Sequence, residues 1–128
     1  MSTSYQLEFR SFGDELQVII RGSERTPEKA LAAWVAIASE VRVRASRRLL
    51  ALSHVEGDPR QPDHMRGFFA SMVGLGLEGV RVAYVDMAGF KTPLMELAEI
   101  LASEHGFSAR VFDNRIAAEL WLRHGGSN

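Results

Sequence analysis

This chain of 128 residues contains no cysteine. Disulfide staples, thiolate metal sites and a cysteine nucleophile are thereby excluded. Proline is scarce (four residues), the only lysines are Lys29 and Lys91, and there is no long hydrophobic run. The longest apolar run, residues 30–38, falls far short of the roughly 18 residues that cross a bilayer. Nor does charge of one sign dominate. The 15 basic and 16 acidic residues give a formal net charge of −1, so no domain-wide field draws the protein to nucleic acid or anionic lipid. The opening Met1-Ser2-Thr3-Ser4-Tyr5 lacks a basic stretch followed by an apolar one, so no secretory signal is expected and the chain reads as cytoplasmic. What remains is ordinary globular usage, 46% hydrophobic and 24% charged residues, which excludes a disordered or fibrous chain. A single domain over residues 1–128 is expected, long enough to bury roughly two-thirds of its unfolded surface.

Tyr5, Leu7 and Phe9 alternate with Gln6, Glu8 and Arg10, the period of two of a half-buried strand. Beyond the turn Gly13-Asp14, Leu16, Val18 and Ile20 alternate with Gln17 and Arg21 in a second strand, which predicts an antiparallel hairpin. Thr26-Pro27-Glu28 starts a helix, with Thr as cap, Pro at the first helical position and an acidic residue at the positive end of the dipole. Its apolar face is Leu31, Trp34, Val35, Ala38 and Val41, and the pattern fades at Arg42-Val43-Arg44. Leu49-Leu50-Ala51-Leu52 suits a central strand buried on both faces, and residues 54–61, punctuated by Gly57 and Pro59, read as a loop.

Pro62 opens a second helix with core face Met65, Phe68, Phe69, Met72 and Val73, ended by Gly74, Gly76 and Gly79. Residues 80–85 form the next strand. Thr92-Pro93 repeats the capping pair ahead of Leu94, Leu97, Ala98 and Leu101, a helix that Gly106 ends. Arg110-Val111-Phe112 is the last strand, and Asp113 caps a final helix carrying Ile116, Ala117, Leu120 and Trp121 and closed by Gly125. The order β-β-α-β-α-β-α-β-α predicts a single α/β domain, a five-stranded, mostly parallel mixed sheet with an N-terminal hairpin and four helices. Leu50 and Val82 fall on neighbouring buried strands.

The central strand, residues 49–53, and the ending Ala109-Arg110-Val111-Phe112-Asp113 with Ala117-Ala118-Glu119-Leu120-Trp121-Leu122 carry a family likeness. With this order of elements, the chain resembles the STAS fold of anti-sigma-factor antagonists, and more narrowly the SpoIIAA-like proteins grouped with STAS and Sec14-type lipid-binding domains. The resemblance implies a regulatory or binding module. In such antagonists the functional mark is a phosphorylatable serine in an Asp-x-Ser-Gly turn at a helix start. This chain reads Ser53-His54-Val55-Glu56-Gly57 there, with further loop before the helix. A phosphate on Ser53 would miss the free amides of a helix N-terminus, so Ser53 is not expected to be a regulatory phosphosite.

Polar candidates gather beyond the carboxyl ends of the third and fourth strands, where open α/β sheets bind ligands. His54, Glu56, Asp58, Asp63 and His64 offer imidazoles and carboxylates that suit zinc or another borderline metal. They lack the spacing of a recognised ligand motif, and a solvated polar loop is the plainer account. Asp86, Lys91 and Thr92 follow the fourth strand. Gly89-Phe90-Lys91-Thr92 lacks the first glycine and the spacing of a phosphate loop, but Lys91 beside a helix start offers a seat for an anionic head group. Arg42, Arg44, Arg47 and Arg48 favour the negative end of the first helix and have no interleaved aromatics, so no nucleic-acid partner is expected.

Met65, Phe68, Phe69, Met72 and Met87 are core residues by their spacing, or they line an apolar pocket or dimer surface beneath a helix that Gly67 and Gly74 weaken. No G-x-S-x-G nucleophile is present and no cofactor is expected. The function expected is therefore that of a non-enzymatic regulatory or ligand-binding module. Its partner would be a protein, a second copy, or a small apolar-anionic, lipid-like molecule, met through Ser53, His54, Asp58, His64, Phe68, Phe69, Met72, Asp86 and Lys91. The alternative is a small enzyme or metal site built on His54 or His64 with Asp58 or Asp63.

Overall fold

A computed structural model of the chain describes residues 4–56, 62–87 and 92–124, the side chains of residues 62, 63 and 92 excepted. The two alternating segments pair as an antiparallel hairpin, β1 (Gln6–Phe12) with β2 (Glu15–Gly22), closed at Phe12↔Glu15. Gly13 makes that two-residue turn possible with φ of 61°, a left-handed conformation that costs glycine nothing. Thr26 caps α1 (Pro27–Arg44) as its sequence predicts, its Oγ1 accepting from the Lys29 amide at 3.2 Å. The helix runs through the fading segment to Arg44 and stops at Ala45, which is left-handed and donates back to Arg42.

There follow β3 (Arg48–Val55), α2 (Pro62–Met72), β4 (Arg81–Asp86), α3 (Thr92–Glu104), β5 (Ser108–Phe112) and α4 (Arg115–His124). The sheet has five strands in the order β1-β2-β3-β4-β5, with every pairing after the hairpin parallel. Because the strands advance in one direction, right-handed crossovers place α1, α2 and α3 on the same face. That core joins Trp34, Ile37 and Val41 to Leu16, Val18, Leu49, Ala51 and Val82. The other face of the central strands, Leu50, Leu52, Ala83 and Val85, is equally apolar, and α4 covers it with Ala118 and Leu122. Leu50 and Val82 lie on adjacent central strands, pointing to opposite faces.

Several local expectations are corrected. His54 and Val55 belong to β3, not to the following loop, and Asp86 is the last residue of β4. The cap of α4 is Asn114, whose Oδ1 accepts from the Ala117 amide at 2.9 Å, and not Asp113. Gln17, which alternation assigns to solvent, is buried together with Glu15. The cause is α4: Arg123 grips both Glu15 oxygens at 2.9 and 3.0 Å, and Arg115 donates to Gln17. The hydrogen bonds to Glu15 push the Arg123 pKa above its ordinary value. Burial is tolerated because each polar group has a partner.

Candidate ligand-binding site

The carboxyl ends of β3 and β4 are bound to the start of α1 by a buried ion pair. The Arg25 guanidinium donates to both oxygens of Asp86, at 3.0 and 3.3 Å, and to the Val55 carbonyl at 3.0 Å. The two side chains are 6% and 0% exposed, so the charges sit in low dielectric, where only close pairing makes them tolerable. Ser53 lies beside Asp86 in register and is 1% exposed.

Next to this pair, between α1, α2, α3 and the sheet, is an open-mouthed apolar cavity of about 100 Å³. Its wall is a train of rings. Tyr84 and Trp34 lie 6.2 Å apart, Trp34 meets Phe68 edge-on at 6.2 Å, Phe68 meets Phe69 edge-on at 5.3 Å, and Phe69 reaches Phe107 at 6.2 Å. Such edge-to-face pairs suit the ring quadrupoles. Met65 and Met72 from α2, Ala98 and Ala102 from α3, and Ala109 and Val111 from β5 complete the lining. The small side chains facing α2 leave the space, since an alanine there cannot reach the opposing rings. The lining also includes the charged residues Arg25, Glu99 and Arg110. All three are engaged: Arg25 with Asp86, Glu99 with the Val111 amide at 2.9 Å, and Arg110 with Glu99 at 3.8 Å.

The structure thus brings together the Phe68, Phe69 and Met72 of the sequence-predicted set, with Met65 beside them. Asp86 stands behind that wall, held by Arg25. His54 is elsewhere, on the α4 side of the sheet in an open, more polar cleft with Arg21, Glu56 and Met87. His64 is exposed on α2. Asp58 and Lys91 lie outside the described residues, as does the Asp63 side chain, and among the described residues no three His, Asp or Glu side chains are grouped to hold a metal. Two arginines of the basic cluster hold neighbouring segments: Arg42 donates to the Leu75 carbonyl after α2, and Arg44 bonds Ser11 of β1. Sequence reasoning missed Arg25, Tyr84 and Phe107. The aromatics fall at unremarkable strand and loop positions, and an arginine before a helix cap carries no local sign of burial.

No protein-family model and no curated protein matches this chain. Among solved structures it is similar to an uncharacterised protein of the DUF3478 family with a SpoIIAA-like fold, from Shewanella loihica PV-4. The TM-score is 0.51 at 13% identity, over 95% of this chain and 98% of that one. The likeness is one of fold, and among the described residues no helix is long and apolar enough to cross a membrane. The chain has a SpoIIAA-like fold.

Proposed function

We propose that this protein is a non-enzymatic binding module whose ligand seats an apolar group in the cavity between α2, α3 and the sheet. The observation that carries this reading is the ring-walled apolar cavity of about 100 Å³ between these elements. Its size selects the ligand. Pockets for drug-sized molecules span roughly 300–1,000 Å³, whereas an engineered apolar cavity of about 150 Å³ takes up benzene. At about 100 Å³ this cavity is smaller than that one but open at its mouth, so it seats a short branched aliphatic group or an aromatic ring that protrudes through the mouth, and a whole lipid does not fit unless α2 shifts. The unbranched Met65 and Met72 side chains favour adaptation to modestly different shapes. Because the charged groups of the lining are already paired, affinity rests on the apolar part. The anionic character expected of the ligand depended on Lys91, outside the described residues.

Thermal unfolding in the presence of benzene, toluene and short branched alcohols tests this reading. A ligand that binds only the folded state raises Tm with concentration. Ala109→Ile, which fills the cavity from β5 with a residue suited to strands, is expected to keep the fold and abolish that rise. The double variant His54→Ala/His64→Ala is expected to retain it, since His54 lies on the other face of the sheet. No rise with any of these compounds, or a rise unchanged in Ala109→Ile, would overturn the proposal.

A further inference from the structure

The two edges of the sheet are treated differently. At β5 the Glu99 carboxylate occupies the edge amide of Val111, and the strand is short. At β1, a seven-residue strand, the outward backbone groups are left open: there is no proline, lysine or bulge, its register with β2 runs uninterrupted, no described residue pairs with its outer side, and its two charges, Glu8 and Arg10, are of opposite sign. Exposed edges of this length are ordinarily blunted, because their amides and carbonyls template pairing with another chain.

We propose that β1 is a self-association strand, pairing antiparallel with β1 of a second copy about a two-fold axis at Phe9. The hydrogen-bonding phase of the strand permits this register. The carbonyls of Asp14 and Gly22 accept from Arg47, Arg48 and Glu56 on the β3 side, so even-numbered residues of β2 face β3 and odd-numbered ones face β1. Their partners Gln6, Glu8, Arg10 and Phe12 therefore spend their backbone groups on β2, leaving those of Leu7, Phe9 and Ser11 directed outward. An axis at Phe9 pairs Phe9 with its own copy and Leu7 with Ser11, so all three exchange hydrogen bonds. It also uses the full strand, from Gln6 opposite Phe12 at both ends.

The same register sets Glu8 opposite Arg10 twice. These are the non-hydrogen-bonded positions, where cross-strand side chains approach most closely. Moving the axis by one residue in either direction places Glu8 against Glu8 or Arg10 against Arg10, which is repulsive. Within one chain Glu8 and Arg10 meet only loosely, at 3.4 Å and largely exposed, so little is lost when they turn to a partner. The half-buried Phe9 rings come together on the α1 side, adding apolar contact. The self-complementarity of one strand, in charge and in hydrogen-bonding phase, is what selects a second copy of this chain as the occupant.

Sedimentation velocity on the full chain over a concentration series tests the proposal. The wild type is expected to show a reversible monomer–dimer equilibrium. Glu8→Arg alone and Arg10→Glu alone are each expected to raise the dimer Kd roughly tenfold or more, because two attractive pairs become repulsive. An equimolar mixture of the two variants is expected to restore the dimer as a heterodimer, with the double swap Glu8→Arg/Arg10→Glu restoring it alone. Ser11→Pro, which removes an outward amide together with the hydroxyl that Arg44 donates to, is expected to leave a folded monomer, whereas Ser11→Ala, which loses the hydroxyl alone, is expected to dimerise as the wild type does. A wild type that stays monomeric, or a dimer indifferent to the charge reversals, overturns the proposal.

Discussion

Replacing Asp86 by alanine tests the buried ion pair that anchors α1 to the sheet. The substitution leaves the Arg25 side chain, 6% exposed, without the carboxylate it grips at 3.0 and 3.3 Å. Breaking a buried pair by removing one partner costs about 3–5 kcal/mol. Arg25 keeps the Val55 carbonyl at 3.0 Å, which argues for the lower end, about 3 kcal/mol. For a domain of this size that is a fall in Tm of about 10–15 °C, and a large share of a total stability of about 5–15 kcal/mol. Arg25→Met takes the guanidinium away from a fully buried carboxylate and is expected to cost as much. The double variant Arg25→Met/Asp86→Leu replaces both charges by apolar groups and is expected to recover most of the loss, since a buried pair and its hydrophobic replacement are often equivalent. Urea denaturation of the four proteins, read by circular dichroism, gives the coupling energy directly. Single costs below about 1 kcal/mol, or single costs that simply add in the double variant, would refute the account of Asp86 as a carboxylate held in low dielectric by Arg25.

Leu50→Asp places a carboxylate at a fully buried position between β3 and α4 and is expected to unfold the domain, at a cost of several kcal/mol; a soluble variant with a cooperative urea transition would show that β3 is misassigned. Glu78 accepts from the Gly74 amide at 2.7 Å, and this bond, followed by those from its own amide and from Gly76, holds its pKa below the ordinary carboxylate value. A depressed folded pKa contributes stability at neutral pH that is lost as pH falls through it, so the stability gap between wild type and Glu78→Gln is expected to be widest near neutrality and to close in acid. A gap independent of pH would contradict that assignment.

Much of the fold was legible in the residues themselves. The alternation of residues 5–10, the Thr26-Pro27 cap and the continuous apolar stretch of residues 49–52 each act through neighbours a few positions away, so they read correctly from sequence. The element order, with the one-way advance and right-handed crossovers of parallel strands, fixed the sheet. Met65, Phe68, Phe69 and Met72 were identifiable as one apolar face for the same local reason, whereas Val73, read with them, lies past the end of α2 and is half exposed. Contacts across more distant parts of the chain were not legible. That Gln17 and Glu15 are buried depends on α4 returning over the second face about 100 residues later, with Arg115 and Arg123 placed to meet them. That Arg25 is buried depends on Asp86 ending β4 beside it. That His54 and Phe68 face opposite sides of the sheet depends on β3 running on to Val55, and the cavity exists because α2 and α3 set large rings opposite alanines. Periodicity records which side of an element is apolar; only the assembled tertiary structure decides what each side meets, because burial and pairing are properties of two surfaces and the local sequence describes one.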